Sequence, residues 1–128
     1  MLVFDASSAM KWFREEAGSD AAWDLLGSEH AEGGVWLPDN CAHEVLAVVC
    51  RRNGAGRAVL AWEAMAEAGV LIAHIDGSLV AEAAVVSSDL GCSCYYALAP
   101  AVARMLGATL VSADRRAHGS FPGVRLIG

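Results

Sequence analysis

The chain has 128 residues, of which 55% are hydrophobic and 19% are charged, so its composition is that of a folded globular domain. Its formal net charge is −6, which excludes a global electrostatic attraction to nucleic acid and confines any such binding to local basic patches. No apolar run approaches the roughly 20 residues that span a bilayer, and the N-terminus lacks the pattern of a signal peptide. We therefore expect one cytoplasmic domain over residues 1–128.

Strands and helices alternate among the predicted elements of the first half. The opening run "LVF" is typical of a buried strand and ends at Asp5, and a helix over "AMKWFREE" follows with Ser7 or Ser8 as its cap. A second helix is predicted in "GSDAAWDLLGSEH", and a short strand in "GGVWLPD". Two further helices are predicted in "NCAHEVLAVVCRRNG" and "GRAVLAWEAMAEAG", each ending at a glycine.

The second half continues the alternation. "VLIAHI" is rich in branched residues and predicts a strand, and "SLVAEAAVVSSDLG" and "SCYYALAPAVARMLG" predict two helices. "ATLVSAD" is typical of a buried strand, and "VRLIG" of a final short one. Nearly continuous apolar strands that alternate with helices indicate a parallel sheet covered on both faces. The predicted fold class is a three-layer α/β/α domain with a central parallel sheet.

Two aspartates close predicted buried strands. Asp5 follows the first strand and Asp114 follows "ATLVSA". Because parallel strands end at the same edge of a sheet, where ligands bind in open α/β folds, we expect both carboxylates at one edge. Each could instead be a helix cap or a turn residue, and either one alone favours that structural interpretation. Their shared position at one edge is the first indication of a joint function.

Glu44 lies on a predicted helix face that is mostly apolar. Its neighbours at three and four residues are Cys41, Ala47 and Val48. A glutamate on such a face must extend to solvent or find a partner, since an unpaired buried carboxylate is costly. A divalent ion shared by Glu44 and the two strand-end aspartates would satisfy all three, and ligands that are all oxygen favour Mg²⁺ or Mn²⁺.

Cysteines and basic residues give weaker indications. The four cysteines include one C-x-C and no C-x-x-C pair, a spacing that favours packing over a zinc site: Cys41, Cys50, Cys92 and Cys94. Local basic patches are the remaining candidates for contact with nucleic acid: Lys11 with Arg14, then Arg51, Arg52 and Arg57, then Arg115 with Arg116.

Three segments together resemble one known family. "LVFDASSAMKWF", "LPDNCAHEVLAVV" and "LGATLVSADRR" are similar, in order and spacing, to the PIN-domain family, and more closely to VapC-type toxins of bacterial toxin–antitoxin pairs. The resemblance covers essentially the whole chain. It implies a metal-dependent endoribonuclease that uses Mg²⁺ or Mn²⁺, forms a homodimer and is inhibited by a small VapB-like antitoxin.

The resemblance also implies roles for individual residues. The acidic, metal-binding site of the family corresponds to Asp5, Glu44 and Asp114. Ser7 and Ser112 match the small hydroxyl residues that accompany the first and last acids. Contacts with the RNA backbone are expected from the arginines that follow the last acid, Arg115 and Arg116.

One position departs from the family pattern. A further aspartate typically stands in a segment like "YDALYLALA", whereas this chain has "YYALAPAVA" with Tyr96 at that place. No other register supplies the acid, because residues 90–113 contain no Asp or Glu, and Asp89 is the nearest acid upstream. Pro100 adds a second departure in the same helix, since it removes the hydrogen bond to residue 96.

Three functions follow from this combination. The first is a VapC-like endoribonuclease, impaired by the loss of one acid, because a neutral phenol cannot replace a carboxylate charge at neutral pH. The second is a catalytically silent PIN domain that binds an antitoxin or RNA. The third, which the sequence favours least, is an α/β/α domain whose acids are structural.

Overall fold

One five-stranded sheet organises the chain. The computed structural model describes residues 1–128, and its strands are short, with the following bounds: β1 Leu2–Phe4, β2 Val35–Pro38, β3 Val70–Ala73, β4 Thr109–Ser112 and β5 Arg125–Leu126. The strand order in the sheet is β3-β2-β1-β4-β5, and every neighbouring pair is parallel.

Seven α-helices connect and cover these strands. Their bounds are α1 Ala6–Ala9, α2 Ser19–Leu26, α3 Asp39–Asn53, α4 Ala55–Glu67, α5 Gly77–Leu90, α6 Cys94–Leu106 and α7 Arg115–His118. α3 packs on α4 and α1, whereas α5 packs on α6, and α6 contacts the central strands β1, β2 and β4. The predicted three-layer α/β/α fold with a central parallel sheet is therefore confirmed. None of the helices combines the length and apolarity that crossing a membrane requires.

Burial explains why the apolar runs became central strands. All residues of β1 are buried, and β4 is buried except at its first residue, because each is flanked by strands and covered by helices. β3 lies at the edge of the sheet and is only partly buried. The core extends from this sheet to small residues of α6, which lie close to the strands: Ala97, Ala99, Ala101 and Ala103.

The strand order places a crevice beside β1. The chain runs from β1 through β2 to β3 on one side of the sheet and then crosses to β4 and β5 on the other. Adjacent strands whose connections leave in opposite directions form a crevice at their carboxyl ends, which is the usual ligand site of such sheets. Asp5 and Asp114 follow the two strands concerned, β1 and β4.

The first helix differs from its prediction over "AMKWFREE". α1 begins earlier, at Ala6, because Asp5 and not Ser7 or Ser8 is its cap: the Asp5 carboxylate accepts the amide of Ser8 at 2.9 Å. A short 3₁₀ turn follows at Met10–Trp12, after which the chain leaves the helical path.

Candidate active site

A cavity of about 350 Å³ opens at the carboxyl ends of β1 and β4. Asp5, Glu44 and Asp114 all line it, although they come from the end of β1, the middle of α3 and the end of β4. The three acids that the sequence singled out are therefore brought to one cavity. Glu44 lies on the same side of the sheet as the aspartates, as the metal hypothesis requires.

Asp5 is the most completely hydrogen-bonded acid of the cavity. It is only 3% exposed. Its Oδ1 accepts the Ser7 hydroxyl at 2.7 Å, the Ser8 amide at 2.9 Å and the Ser8 hydroxyl at 3.0 Å. Its Oδ2 accepts the Ser112 hydroxyl and lies 2.7 Å from Nδ1 of His118. Burial acts to raise the pKa of Asp5, but these hydrogen bonds outweigh it and the pKa is lowered.

Glu44 is exposed, so of the two outcomes that its apolar neighbours allowed, a partner or solvent, its side chain reaches solvent. Its face of α3 borders the cavity, and its Oε2 accepts the Tyr95 hydroxyl at 3.1 Å. Burial and the neighbouring Glu44 charge raise the pKa of Tyr95, so the phenol stays protonated and remains a donor. One turn earlier, Asn40 also lines the cavity, and its Oδ1 is buried without a hydrogen-bond partner.

Asp114 lies at the start of α7. Its Oδ1 accepts the amide of Ala117 at 3.0 Å and caps that helix, while Oδ2 makes no hydrogen bond. Its own amide donates to the Ser112 hydroxyl at 3.0 Å, and the amide of Ala113 donates to the Ser7 hydroxyl at 2.9 Å. Ser7 and Ser112 therefore fasten the end of β4 to the cap of α1 and orient Asp5 relative to Asp114.

Tyr96 borders the cavity at the position of the missing acid, and its side chain is 51% exposed. α6 runs without interruption from Cys94 to Leu106, with Pro100 inside it. Asp89 does not supply the missing charge, because it is exposed, pairs with Arg104 at 3.3 Å and does not line the cavity.

His118 is the cavity residue that sequence reasoning missed. It is 2% exposed, with Nδ1 2.7 Å from Asp5 Oδ2 and Nε2 2.7 Å from the main-chain oxygen of Tyr96. Burial alone would lower the pKa of His118, but the bonds to Asp5 and to the Tyr96 carbonyl outweigh it and raise the pKa. The sequence contains one indirect signal of this contact. Pro100 leaves the carbonyl at 96 without its helical donor, so a donor from another part of the chain is needed there.

Basic side chains border the cavity on one side. Lys11 and Arg14 line it, and both are paired with Glu16, at 3.1 and 2.8 Å. Arg115 and Arg116 are exposed on α7 and do not line the cavity. The first of the basic patches noted in the sequence therefore borders the cavity, whereas the last does not.

The donor set fits a hard divalent ion. Glu44 and Asp114 each have one carboxylate oxygen without a hydrogen-bond donor, and the buried Asn40 Oδ1 has none. No three His, Cys, Asp or Glu side chains are close enough together to hold an ion directly. Mg²⁺ keeps several waters and takes one or two carboxylates, so coordination partly through water suits this arrangement.

Comparisons with known proteins agree on the family. A family model described as "PIN domain" matches residues 2–119. The chain therefore belongs to the PIN domain family. No curated protein matches it in sequence.

Solved structures share the fold at low sequence identity. A toxin–antitoxin complex from Klebsiella pneumoniae has a TM-score of 0.76 at 15% identity, covering 98% of this chain and 96% of that chain. Mycobacterium tuberculosis VapC20, described as a Sarcin-Ricin loop cleaving toxin, has a TM-score of 0.74 at 21% identity, covering 98% and 99%. DNA-bound VapBC from Salmonella typhimurium has a TM-score of 0.73 at 12% identity, covering 98% and 95%.

Proposed function

We propose that this PIN-domain chain is a VapC-like endoribonuclease toxin of reduced activity, with Asp5, Glu44 and Asp114 as the acids that hold Mg²⁺ or Mn²⁺. The observation that carries the proposal is that three acids from distant parts of the chain line one cavity at the crevice of the sheet. The description of the similar VapC20 as a Sarcin-Ricin loop cleaving toxin supports RNA as the substrate class.

The residues in and near the cavity would have different roles in phosphodiester hydrolysis. A bound divalent ion supplies Lewis-acid stabilisation of the charge that develops on the phosphate and on the leaving oxygen. Ser7 and Ser112 hold the Asp5 carboxylate in place, and Asp114 keeps one oxygen free while the other caps α7. Arg115 and Arg116, exposed just beyond Asp114, are our candidates for contacts with the RNA backbone.

Reduced activity follows from Tyr96. The phenol adds no negative charge to the cavity at neutral pH, so the attraction for a divalent ion is weaker than with four acids. Mn²⁺-dependent cleavage of single-stranded RNA should therefore be slow but measurable. Its metal dependence is tested by adding a chelator, which should stop cleavage, and then restoring Mn²⁺.

Asp5→Asn is the decisive variant for this proposal. The amide keeps the size of the side chain and removes the charge, so we expect at least about a hundredfold loss of cleavage, comparable to losing a main electrostatic contact of an active site. Asp20→Asn, at an exposed position of α2 outside the cavity, is the matched control and should cleave as the wild type does. Equal cleavage by Asp5→Asn and wild type would contradict the proposed site.

Partners follow from the same family assignment. One similar structure is described as a toxin–antitoxin complex, and three others, two of VapBC and one of FitAB, are described as bound to DNA. We propose a small VapB-like antitoxin as the partner of this chain. Co-expression with the product of a short neighbouring reading frame should yield a stable complex that no longer cleaves RNA.

A silent binding module is the second candidate function. The observation that favours it is that both oxygens of Asp5 are already hydrogen-bonded and that Tyr96 replaces an acid. Under this alternative the chain binds an antitoxin or RNA but never cleaves. Antitoxin binding together with no cleavage at any Mn²⁺ concentration would select it.

A further inference from the structure

Both ring nitrogens of His118 have a hydrogen-bond acceptor, and Nδ1 also lies 3.1 Å from the Ser112 hydroxyl oxygen. Its Nδ1 lies 2.7 Å from the Asp5 carboxylate and its Nε2 lies 2.7 Å from the Tyr96 main-chain oxygen. Neither a carboxylate nor a peptide oxygen can donate, so both ring nitrogens must do so. The ring therefore makes a bridge between the first acid of the cavity and the backbone of α6.

The Tyr96 oxygen is available because of Pro100. In an α-helix the carbonyl at 96 accepts the amide at 100, and proline has none. A buried carbonyl without a donor is costly, and His118 supplies that donor from α7. The two departures of α6 from the family pattern, Tyr96 and Pro100, thus act at one point: one removes an acid and the other fixes His118 in the cavity.

We propose that His118 is a positioning residue that occupies Asp5 in place of a metal ion, held there by the Tyr96 carbonyl that Pro100 leaves free. This inference rests on the proposed function of the cavity. Metal binding at Asp5 then requires His118 to withdraw from Oδ2.

The arrangement of donors around Asp5 indicates why His118 is the donor that withdraws. A carboxylate has about four acceptor positions, and five donor contacts surround Asp5. Those from Ser7 and Ser8 belong to the cap of α1, and that from Ser112 belongs to β4. His118 ends a helix of only four residues and is followed by Gly119, so it can move without breaking the sheet.

The test measures Mn²⁺ binding, by calorimetry and by the resonance signal of free Mn²⁺, at one fixed pH. His118→Ala removes the bridging ring and leaves Oδ2 with the Ser112 hydroxyl alone, so it should tighten Mn²⁺ binding at least about tenfold relative to wild type. His118→Gln, which fills more of the space, should tighten it in the same direction. His30→Ala, at an exposed histidine outside the cavity, should bind as the wild type does.

A double variant locates the effect. Asp5→Asn in the His118→Ala background should remove the gain, since the ion would bind at Asp5. No tightening in either His118 variant, with folding verified by circular dichroism, would overturn the inference. A gain that survives Asp5→Asn would overturn it as well.

Pro100→Ala tests the contact between His118 and the Tyr96 carbonyl and leaves the three acids unchanged. The restored amide gives the Tyr96 carbonyl a helical donor, so the hold on His118 weakens and Mn²⁺ should bind about threefold tighter. We expect the wild type to show two slowly exchanging ring N–H protons of His118 in NMR spectra, and these should exchange faster in this variant. Unchanged Mn²⁺ affinity and unchanged exchange would overturn the role of Pro100.

Failure of this inference and failure of the proposed function remain distinguishable. RNA cleavage is measured separately on the same variants and does not enter the binding test. Tighter Mn²⁺ binding in His118→Ala without cleavage by any variant supports the bridge and contradicts the nuclease. Cleavage that depends on Asp5, with Mn²⁺ affinity unaffected by His118, supports the nuclease and contradicts the bridge.

Discussion

Tyr96 is the residue at which a single substitution would add a negative charge to the cavity. It is the third residue of α6, after the Ser93 cap, where a carboxylate also interacts favourably with the free amides of the first turn. Tyr96→Asp should therefore fold normally. We expect it to tighten Mn²⁺ binding about tenfold and to raise ribonuclease activity, because it adds a negative charge beside the ion.

The control for this prediction separates local from overall charge. Ser88→Asp adds the same charge on an exposed face of α5, outside the cavity, and should leave Mn²⁺ binding unchanged. Combining Tyr96→Asp with Pro100→Leu should add to the gain, since the second change restores the helical donor for the carbonyl at 96. No gain in either variant, while Asp5→Asn abolishes cleavage, would mean that three acids suffice.

Cys41 and the other cysteines should differ in reactivity. Burial, and then the charge of Asp5, raise the pKa of Cys41 far above its ordinary value, so its thiolate is not populated. Cys50 and Cys94 are exposed. In the folded protein a thiol reagent should label these two first and Cys41 only after unfolding, as peptide mass mapping would show. Rapid native labelling of Cys41 would contradict the buried position of its side chain.

The candidate site was only partly predictable at this scale. Asp5 and Asp114 were found because each follows an apolar run, and strand ends converge for simple geometric reasons. Glu44 was found because a carboxylate is unusual among apolar helix neighbours, but the sequence alone did not decide between solvent and a partner for it, and its side chain is exposed at the cavity. His118 was missed because it meets Asp5 across 113 residues of sequence, and a residue's own neighbours do not encode such a contact.

The segment between the 3₁₀ turn and α2 is the element whose stability should depend on pH. Lys11 is buried, donating to the Ala17 oxygen at 2.6 Å and to Glu16 at 3.1 Å. Burial acts to raise the pKa of Glu16, but hydrogen bonds from Arg14 and Lys11 outweigh it and the pKa is lowered. This contribution to stability is present above the ordinary glutamate pKa and is lost as pH falls through the lowered one.

Glu16→Gln tests that contribution. Near neutral pH the variant should lose about 1 kcal/mol or less in free energy of unfolding, because the pair is partly exposed and solvent screens it. The difference from wild type should shrink to nothing at pH values below the lowered pKa, as measured by chemical denaturation across acidic pH. Glu15→Gln is the control, since Glu15 is exposed and forms no ion pair. A difference that grows on acidification would contradict the assignment.

The same segment shows where element prediction fails. The strands and the long helices were predictable because their apolar patterns end at polar residues, glycine or proline, as at Asp5, Pro38 and Gly54. The helix over "AMKWFREE" was not, because the Lys11 ammonium binds the Ala17 carbonyl and draws the following chain back onto the 3₁₀ turn. A contact of one side chain with the backbone outweighed the helical propensity of several residues.

Several large apolar side chains lie exposed on the surface of the whole molecule. Two of the four tryptophans, Trp23 and Trp62, are exposed, whereas Trp12 is buried in the core. α4 also exposes Val59 and Leu60 beside Trp62. Such a patch commonly marks an interaction surface.

A homodimer is the expected state of the isolated chain. The expectation rests on the family resemblance and on the exposed apolar residues of α4. Sedimentation or light scattering at micromolar concentration should give twice the chain mass of 13.3 kDa. A monomer under those conditions would contradict the dimer, and measuring the complex with a co-expressed antitoxin would then show whether that partner covers the surface instead.

The central place of β1 has a consequence for how the protein is made. β1 pairs with β2 on one side, but its other neighbour, β4, begins only at Thr109, more than 100 residues later in the chain. Ser112 and His118, which hold Asp5, follow it by 107 and 113 residues. Such long-range pairing comes late in folding. A chain that ends before β4 therefore exposes one unpaired side of β1 and lacks two of the groups that hold Asp5, so the acid cavity can assemble only after the segment from Thr109 to His118 has been made.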